Sequence, residues 1–148
     1  PQKTASRPEV PQAPPEPPPN PVRDLLKEAE TAFNGGNNAR AQTAFEKILS
    51  DFDRDNGSAL YGLALIASRQ GDREQAAQYF ERAIRSASAE PSMKVWSYIY
   101  AARIFDIECN RDRAVQYYQQ AIKVGDDTRN AQAAAQEGVQ KPYGDGCR

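Results

Sequence analysis

Three stretches of the chain carry the same side-chain pattern, and this repeat constrains the fold more than any other feature. Each stretch has a small residue, an aromatic residue four positions later, and an aliphatic pair one turn further on. The small and aromatic residues are Ala41/Phe45, Ala76/Phe80 and Ala114/Tyr118. Ala76 follows Ala41 by 35 residues, and Ala114 follows Ala76 by 38. A repeat of this length with helical halves is typical of a stacked helical array.

Apolar residues at helical spacing predict six helices and a polar seventh. Asp24 suits the first helix's N-terminus, Ser58 is the expected cap of the third, and Pro91 suits the fifth helix's first turn. Phe52 is expected on the second helix's apolar stripe. Glycine and polar clusters separate the helices at 35–38, 53–57, 71–72, 86–92, 110–112 and 125–127, and the seventh helix runs over about 128–139.

The first 21 residues are unlike the rest, because nine of the eleven prolines lie there. Proline fixes φ and removes an amide donor, so this stretch is predicted to be an extended polyproline arm or linker (1–21) without helix or central strand. A semi-rigid spacer is the plain interpretation. The alternative is a ligand for an aromatic groove, since Pro8 and Pro11 begin P-x-x-P steps.

Composition excludes several classes of function. The net charge is −1, which gives no electrostatic basis for binding nucleic acid or an anionic membrane. No apolar run is long enough for membrane insertion. Histidine is absent, and with it the commonest general base and transition-metal ligand. We therefore predict no enzyme activity, no metal site and no cofactor.

Three local motifs leave alternatives. Residues 51–56 begin like a calcium loop, but Asn56 replaces the glycine and Gly62 the bidentate glutamate, so a helix end and turn is preferred. Residues 56–58 match a glycosylation acceptor, and the same step suits a turn. Cys109 and Cys147 do not form a C-x-x-C motif, and the sequence leaves open whether they pair.

The helix pairs resemble the tetratricopeptide repeat, whose second helix carries the A-x₃-F step seen at Ala41/Phe45 and its two equivalents. The small residue of the first helix falls at Ala29, Ala64 and Ala102, whereas the closing proline is missing. The resemblance implies an all-α, right-handed superhelix of three helix pairs with a C-terminal capping helix. The expected domain is 22–140, with units at about 22–55, 57–90 and 92–126 and the cap at 128–139; a flexible tail follows at 141–148.

In this family the first helices of each pair line a concave groove, where the best-known members hold a peptide's terminal carboxylate with Lys and Asn. The matching positions here are Leu26, Glu30, Gly62, Trp96 and Tyr100. None is a lysine, arginine or asparagine. The resemblance therefore does not extend to a carboxylate clamp of the chaperone-binding type.

The groove is instead expected to present an aromatic floor flanked by guanidiniums, which suits an apolar or extended peptide with an acidic group nearby. For each aromatic residue the alternative is ordinary core packing. The arm, or the tail segment 141–143, is a conceivable occupant from the same or a neighbouring molecule. The predicted groove residues are Tyr61, Leu65, Arg69, Trp96, Ile99, Tyr100 and Arg103.

The sequence thus predicts a non-catalytic scaffold for a protein or peptide partner. The alternative is a structural role, through self-association as a homo-oligomer or as an accessory module of a longer protein. The absence of an initiator Met suggests a processed or excised piece, although removal of a Met before Pro1 explains the start equally well. Because proline-rich spacers often follow an anchor or signal, we expect a location outside the cytoplasm, with the cytoplasm as the alternative.

Overall fold

The computed structural model of the protein describes residues 1–145 and Cys147, and within them all regular structure is helical. Residues 1–20 have no regular structure and are exposed throughout. A short 3-10 turn, Thr128–Asn130, precedes the last helix. The seven α-helices are α1 Pro21–Asn34, α2 Asn38–Asp51, α3 Gly57–Arg69, α4 Arg73–Arg85, α5 Pro91–Ile107, α6 Arg111–Val124 and α7 Ala131–Gln140.

Side-chain caps set most helix starts. In five helices an Asn or Asp accepts a hydrogen bond from the backbone amide three residues later, which satisfies one of the unpaired N–H groups of the first turn. The prediction for Ser58 is wrong: Asn56 caps α3, and the Ser58 hydroxyl lies 3.7 Å from Met93 Sδ. Pro91 begins α5, as predicted. The capping residues are Asn20, Asn37, Asn56, Asp72 and Asn110.

The turns inside the three helix pairs share one conformation. Gly36, Gly71 and Cys109 occupy equivalent places and have φ of 80°, 76° and 63°. In each turn the amide of the following residue donates to a carbonyl five residues earlier, which closes the preceding helix. Glycine adopts this left-handed conformation without cost, whereas a residue with a Cβ does not. Cys109 is therefore the exception among the three turns.

Each helix packs on the next in the chain, and the odd-numbered helices also contact one another in sequence. The small and aromatic residues of the predicted repeat are all buried. Ala41, Ala76 and Ala114 are fully inaccessible, and so are Ala29, Ala64 and Ala102 on the partner helices. Small residues at these contacts allow two helices to approach closely. The right-handed superhelical path stays a prediction.

Two apolar clusters form the core, one around α1–α3 and one around α3–α7. Helix α3 contributes to both, with Leu63 and Ile66 in the first and Ala64 and Ala67 in the second. A helix that packs on two sides must be apolar around most of its circumference, as α3 is. Phe52 was predicted on the apolar stripe of α2, but it follows the helix and is 48% exposed.

Two glycines fit the repeat aromatics into the next unit. A Cβ at Gly62 would overlap the ring of Phe45, and a Cβ at Gly138 would overlap the ring of Tyr118. In both places the aromatic ring from the second helix of a unit packs directly against the backbone of the following helix, at a residue without a side chain. This contact links α2 to α3 and α6 to α7.

We expect Gly62→Ala to lower the free energy of unfolding by about 2 kcal/mol, because the added methyl group overpacks the contact with Phe45. Elsewhere in a helix interior the same change stabilises by roughly 0.5–1 kcal/mol, so the sign is diagnostic. Urea unfolding followed by circular dichroism measures it. The double variant Gly62→Ala/Phe45→Leu should lose less than the sum of the two single changes. A stabilised Gly62→Ala protein would disprove the contact.

Candidate functional site

A continuous row of aromatic rings runs from α3 to α5. The ring centroids of Tyr61 and Phe80 are 6.1 Å apart, those of Phe80 and Tyr100 5.3 Å, and those of Tyr100 and Trp96 5.2 Å. Phe80, in the middle of the row, is fully buried, whereas Tyr61 and Tyr100 on either side of it are half-buried. These separations are within the range of favourable aromatic pairs. We call Tyr61, Leu65 and Tyr100 the aromatic surface; Leu65 is also half-buried and lies one turn from Tyr61 on α3.

Two of the predicted groove residues lie behind this surface. Ile99 is completely inaccessible and Trp96 is 7% exposed. The indole N–H of Trp96 donates to the Thr128 carbonyl at 2.7 Å, so its polar atom is already satisfied within the protein. Ile99 therefore offers no area for direct contact, and Trp96 supports the surface as a core residue.

The two predicted arginines, Arg69 and Arg103, point to different parts of the molecule. Arg69 is turned toward the first helix pair: its guanidinium carbon lies 3.6 Å from the Phe33 ring centroid, and Nη1 donates to the Phe33 carbonyl at 3.2 Å. Arg103 lies beside the aromatic row, with its guanidinium carbon 5.7 Å from the Trp96 centroid and 5.9 Å from that of Tyr100. The structure therefore separates Arg69 from the other predicted residues.

Arg129 is the site residue that sequence reasoning missed. It lies in the turn before α7, yet its guanidinium carbon is 4.8 Å from the Trp96 centroid and its Nη2 donates to the Tyr61 hydroxyl at 3.1 Å. The side chain thus reaches across α5 to α3. Arg129 and Asn130 both have left-handed backbone, with φ of 54° and 59°. No sequence motif predicts this conformation in two consecutive residues that are not glycine.

The charged side chains beside the aromatic surface, Arg103 and Arg129, are both positive. Within residues 1–145, neither Arg103 nor Arg129 forms an ion pair with a carboxylate. Burial raises the pKa of Tyr61, with a smaller contribution from Tyr100 and a partial opposing effect of the Arg129 charge. The phenol that accepts the Arg129 hydrogen bond is therefore neutral near pH 7. The two guanidiniums therefore place positive charge beside an apolar surface.

The C-terminal tail borders the same region. The backbone amide of Tyr143 donates to Asp106 at 2.9 Å, and the Arg103 guanidinium carbon lies 4.6 Å from the Tyr143 ring centroid. Cys147 forms a disulfide with Cys109 at the end of α5. A cleft of about 290 Å³ separates part of the tail from α7. The tail segment 141–143, a conceivable groove occupant, thus lies against α5 beside the surface.

The Asp106 carboxylate is the polar centre of this end of the molecule. Its side chain is fully buried and accepts hydrogen bonds from Arg111 Nη1 at 2.9 Å and from the Tyr118 hydroxyl at 3.0 Å, besides the Tyr143 amide. Burial, and then the Asp106 charge, raise the pKa of Tyr118 above its ordinary value. Arg111 Nη2 also donates to the carbonyls of Gly138 and Val139. The network joins α5, α6, α7 and the tail.

The described part of the chain contains no group of three or more side chains suited to hold a metal ion. Among its helices none is long and apolar enough to cross a membrane. Gly62, one of the residues expected at a clamp position, is buried beneath the Phe45 ring.

Residues 26–91 match the family model described as tetratricopeptide repeat. The matched range extends from α1 to the start of α5 and covers the first two predicted units except for the first residues of unit one. No curated protein matches the sequence.

Proposed function

Because this chain is a tetratricopeptide-repeat protein, matched over residues 26–91, we propose that it is a non-catalytic scaffold that binds an extended segment of a partner protein on its aromatic surface. Tetratricopeptide repeats generally mediate protein–protein interaction. The observation that carries the proposal is the pair of half-buried tyrosines, Tyr61 and Tyr100, resting on the buried ring of Phe80.

Aromatic side chains held in place by a rigid core suit a binding surface. They offer a large contact area and lose little conformational entropy when a ligand binds. Trp96 and Ile99 support this surface from below rather than touching the ligand, which revises the groove expected from the sequence. Residues 1–20 are exposed throughout.

A change at Leu65 tests the proposal with little risk to the fold, since the side chain is only half-buried. A displayed random-peptide library is panned against the protein, and the enriched peptides are measured by fluorescence anisotropy. We expect Leu65→Glu to weaken their binding about tenfold or more, because it places a charge in the apolar contact.

Leu49→Glu is the matched control. Leu49 is half-buried on α2 and packs against the other core cluster, so the same change there should leave the affinity within about twofold, as expected of a site outside the contact. Failure to enrich any peptide, or equal binding by the wild-type and Leu65→Glu proteins, would refute the binding surface. Concentration-dependent mass in light scattering would then favour self-association.

A further inference from the structure

Two guanidiniums lie against one indole ring. The guanidinium carbons of Arg103 and Arg129 are 5.7 and 4.8 Å from the Trp96 ring centroid, and both distances are within the range of cation–π contact. The two side chains come from different parts of the chain, α5 and the turn before α7. Within residues 1–145 no carboxylate pairs with either guanidinium, so this point of the surface favours an anion.

The present partners of Arg129 are all neutral. The guanidinium donates to the Tyr61 hydroxyl at 3.1 Å, and burial keeps that phenol in its neutral form. The neutral Tyr100 phenol also interacts electrostatically with the Arg129 guanidinium. A hydrogen bond from a guanidinium to an ionised carboxylate is roughly twice as strong as one between neutral groups. A carboxylate that reaches Arg129 would therefore be its strongest acceptor, whether it takes the place of Tyr61 or binds another N–H of the guanidinium.

The backbone that carries Arg129 is held in place independently of its side chain. The Thr128 carbonyl accepts the indole N–H of Trp96, and the Thr128 amide donates to Asp126 Oδ1 at 2.9 Å. The Gln132 amide donates to Asp127 Oδ1 at 3.0 Å. A fixed backbone reduces the entropy lost when the guanidinium changes its partner.

We propose that Arg129, with the second positive charge of Arg103, forms a carboxylate subsite above Trp96, and that the preferred partner is an acidic peptide segment. The inference rests on the binding surface proposed above and adds the chemistry of its ligand. Arg129 comes from the turn before the capping helix, whereas the family's clamp residues lie on the first helices of the units.

The test uses three synthetic libraries of eight-residue peptides that differ only in charge. The first contains Asp and Glu among neutral residues and is acetylated and amidated at its ends. The second is the same library with Asn and Gln in place of Asp and Glu. The third is the second library with a free carboxyl terminus, so that side-chain and terminal carboxylates can be told apart.

We expect the acidic library to yield peptides that bind about tenfold more tightly than their amide counterparts, which is the difference between a charge-assisted and a neutral hydrogen bond. Preference for the third library over the second would also support the subsite and identify a terminal carboxylate as its ligand. Trp96 is the only tryptophan of the chain, so its emission reports a change at the site directly.

Arg129→Gln removes the charge but keeps a group that can donate to Tyr61. It should reduce the affinity for acidic peptides about tenfold and leave the amide peptides unaffected. Arg85→Gln is the control with the same change in charge, at an exposed position of α4. Circular dichroism of both variants confirms that they are folded before binding is compared.

The outcomes separate this inference from the proposed function. Equal binding of all three libraries, or carboxylate-dependent binding that Arg129→Gln leaves intact, would overturn the subsite while the binding surface stands. Absence of binding from all three libraries would overturn both.

Discussion

Asp106→Ala is expected to lower the free energy of unfolding by about 3 kcal/mol or more. The substituted carboxylate is fully buried and is the common acceptor for Arg111, Tyr118 and the Tyr143 amide. Removing it leaves a cation and a phenol inside the protein without their partner, and such groups cost free energy that a surface change does not. We expect this to be the largest effect of a single side chain.

The size of the effect follows from how much water can replace the carboxylate. The Arg111 side chain is 31% exposed, so part of its charge can be rehydrated, and the loss should lie near the lower end of the range for buried ion pairs. Tyr118 is only 1% exposed, so water cannot replace the hydrogen bond that its hydroxyl loses. The same variant should release the tail, since Tyr143 loses its hydrogen bond.

Urea unfolding measures the effect, with Asp112→Ala as the control. Asp112 is exposed in the first turn of α6, where its loss removes only a favourable interaction with the helix dipole, at most about 1 kcal/mol. If Asp106→Ala and Asp112→Ala destabilise the protein equally, the buried network does not have the role that we assign to it.

Loss of the disulfide is the second large effect. Cys147→Ser should lower the free energy of unfolding by about 3 kcal/mol, because the bond closes a loop of 38 residues that includes α6 and α7. A cross-link of this length restricts the unfolded chain strongly. Reduction of the wild-type protein should have the same effect as the substitution, and a reductant should not destabilise Cys147→Ser further.

Comparing two substitutions at Cys109 tests its backbone conformation separately. Both Cys109→Ser and Cys109→Gly remove the disulfide, but only glycine adopts φ of 63° without cost. Cys109→Gly should therefore be more stable than Cys109→Ser by about 1 kcal/mol. Equal stability would mean that the turn is not strained by a side chain, and a less stable glycine variant would contradict the assignment outright.

The helical array could be predicted because its determinants are local and repeated. The pairs Ala41/Phe45 and Ala76/Phe80 are spaced like the family's own motif, and burial of small residues at matching positions leaves few other ways to pack. Helix boundaries followed from glycine and capping residues. Errors at Ser58 and Phe52 arose because each residue type suits two adjacent positions at a helix end.

The site was harder to predict because it depends on contacts between distant residues. Ile99 and Tyr100 are neighbours in sequence, and only the packing of α5 against its neighbours decides which of them is buried. Arg69 found an aromatic partner, Phe33, in the preceding unit. The Arg129 side chain contacts Tyr61, which lies 68 positions earlier in the chain. Its backbone has a left-handed conformation that the sequence does not indicate.

The sequence marks Cys109 as unusual by its position in the repeat, but it does not show which residue it pairs with. Gly36, Gly71 and Cys109 follow the repeat spacing and each precedes an Asn or Asp cap. Glycine suits this turn better than cysteine does. The cysteine in the third unit therefore indicates a role other than forming the turn. The spacing does not identify its partner, because Cys147 lies beyond the repeats.

The attached tail determines how the protein should be immobilised or labelled for binding assays. A biosensor linkage or fluorophore attached close to Cys147 would crowd the surface beside Tyr143. Attachment at Pro1 places the proline-rich residues 1–20 between matrix and domain, a stand-off of up to about 60 Å when they are extended. Assays anchored at the amino end should therefore report the unobstructed molecule.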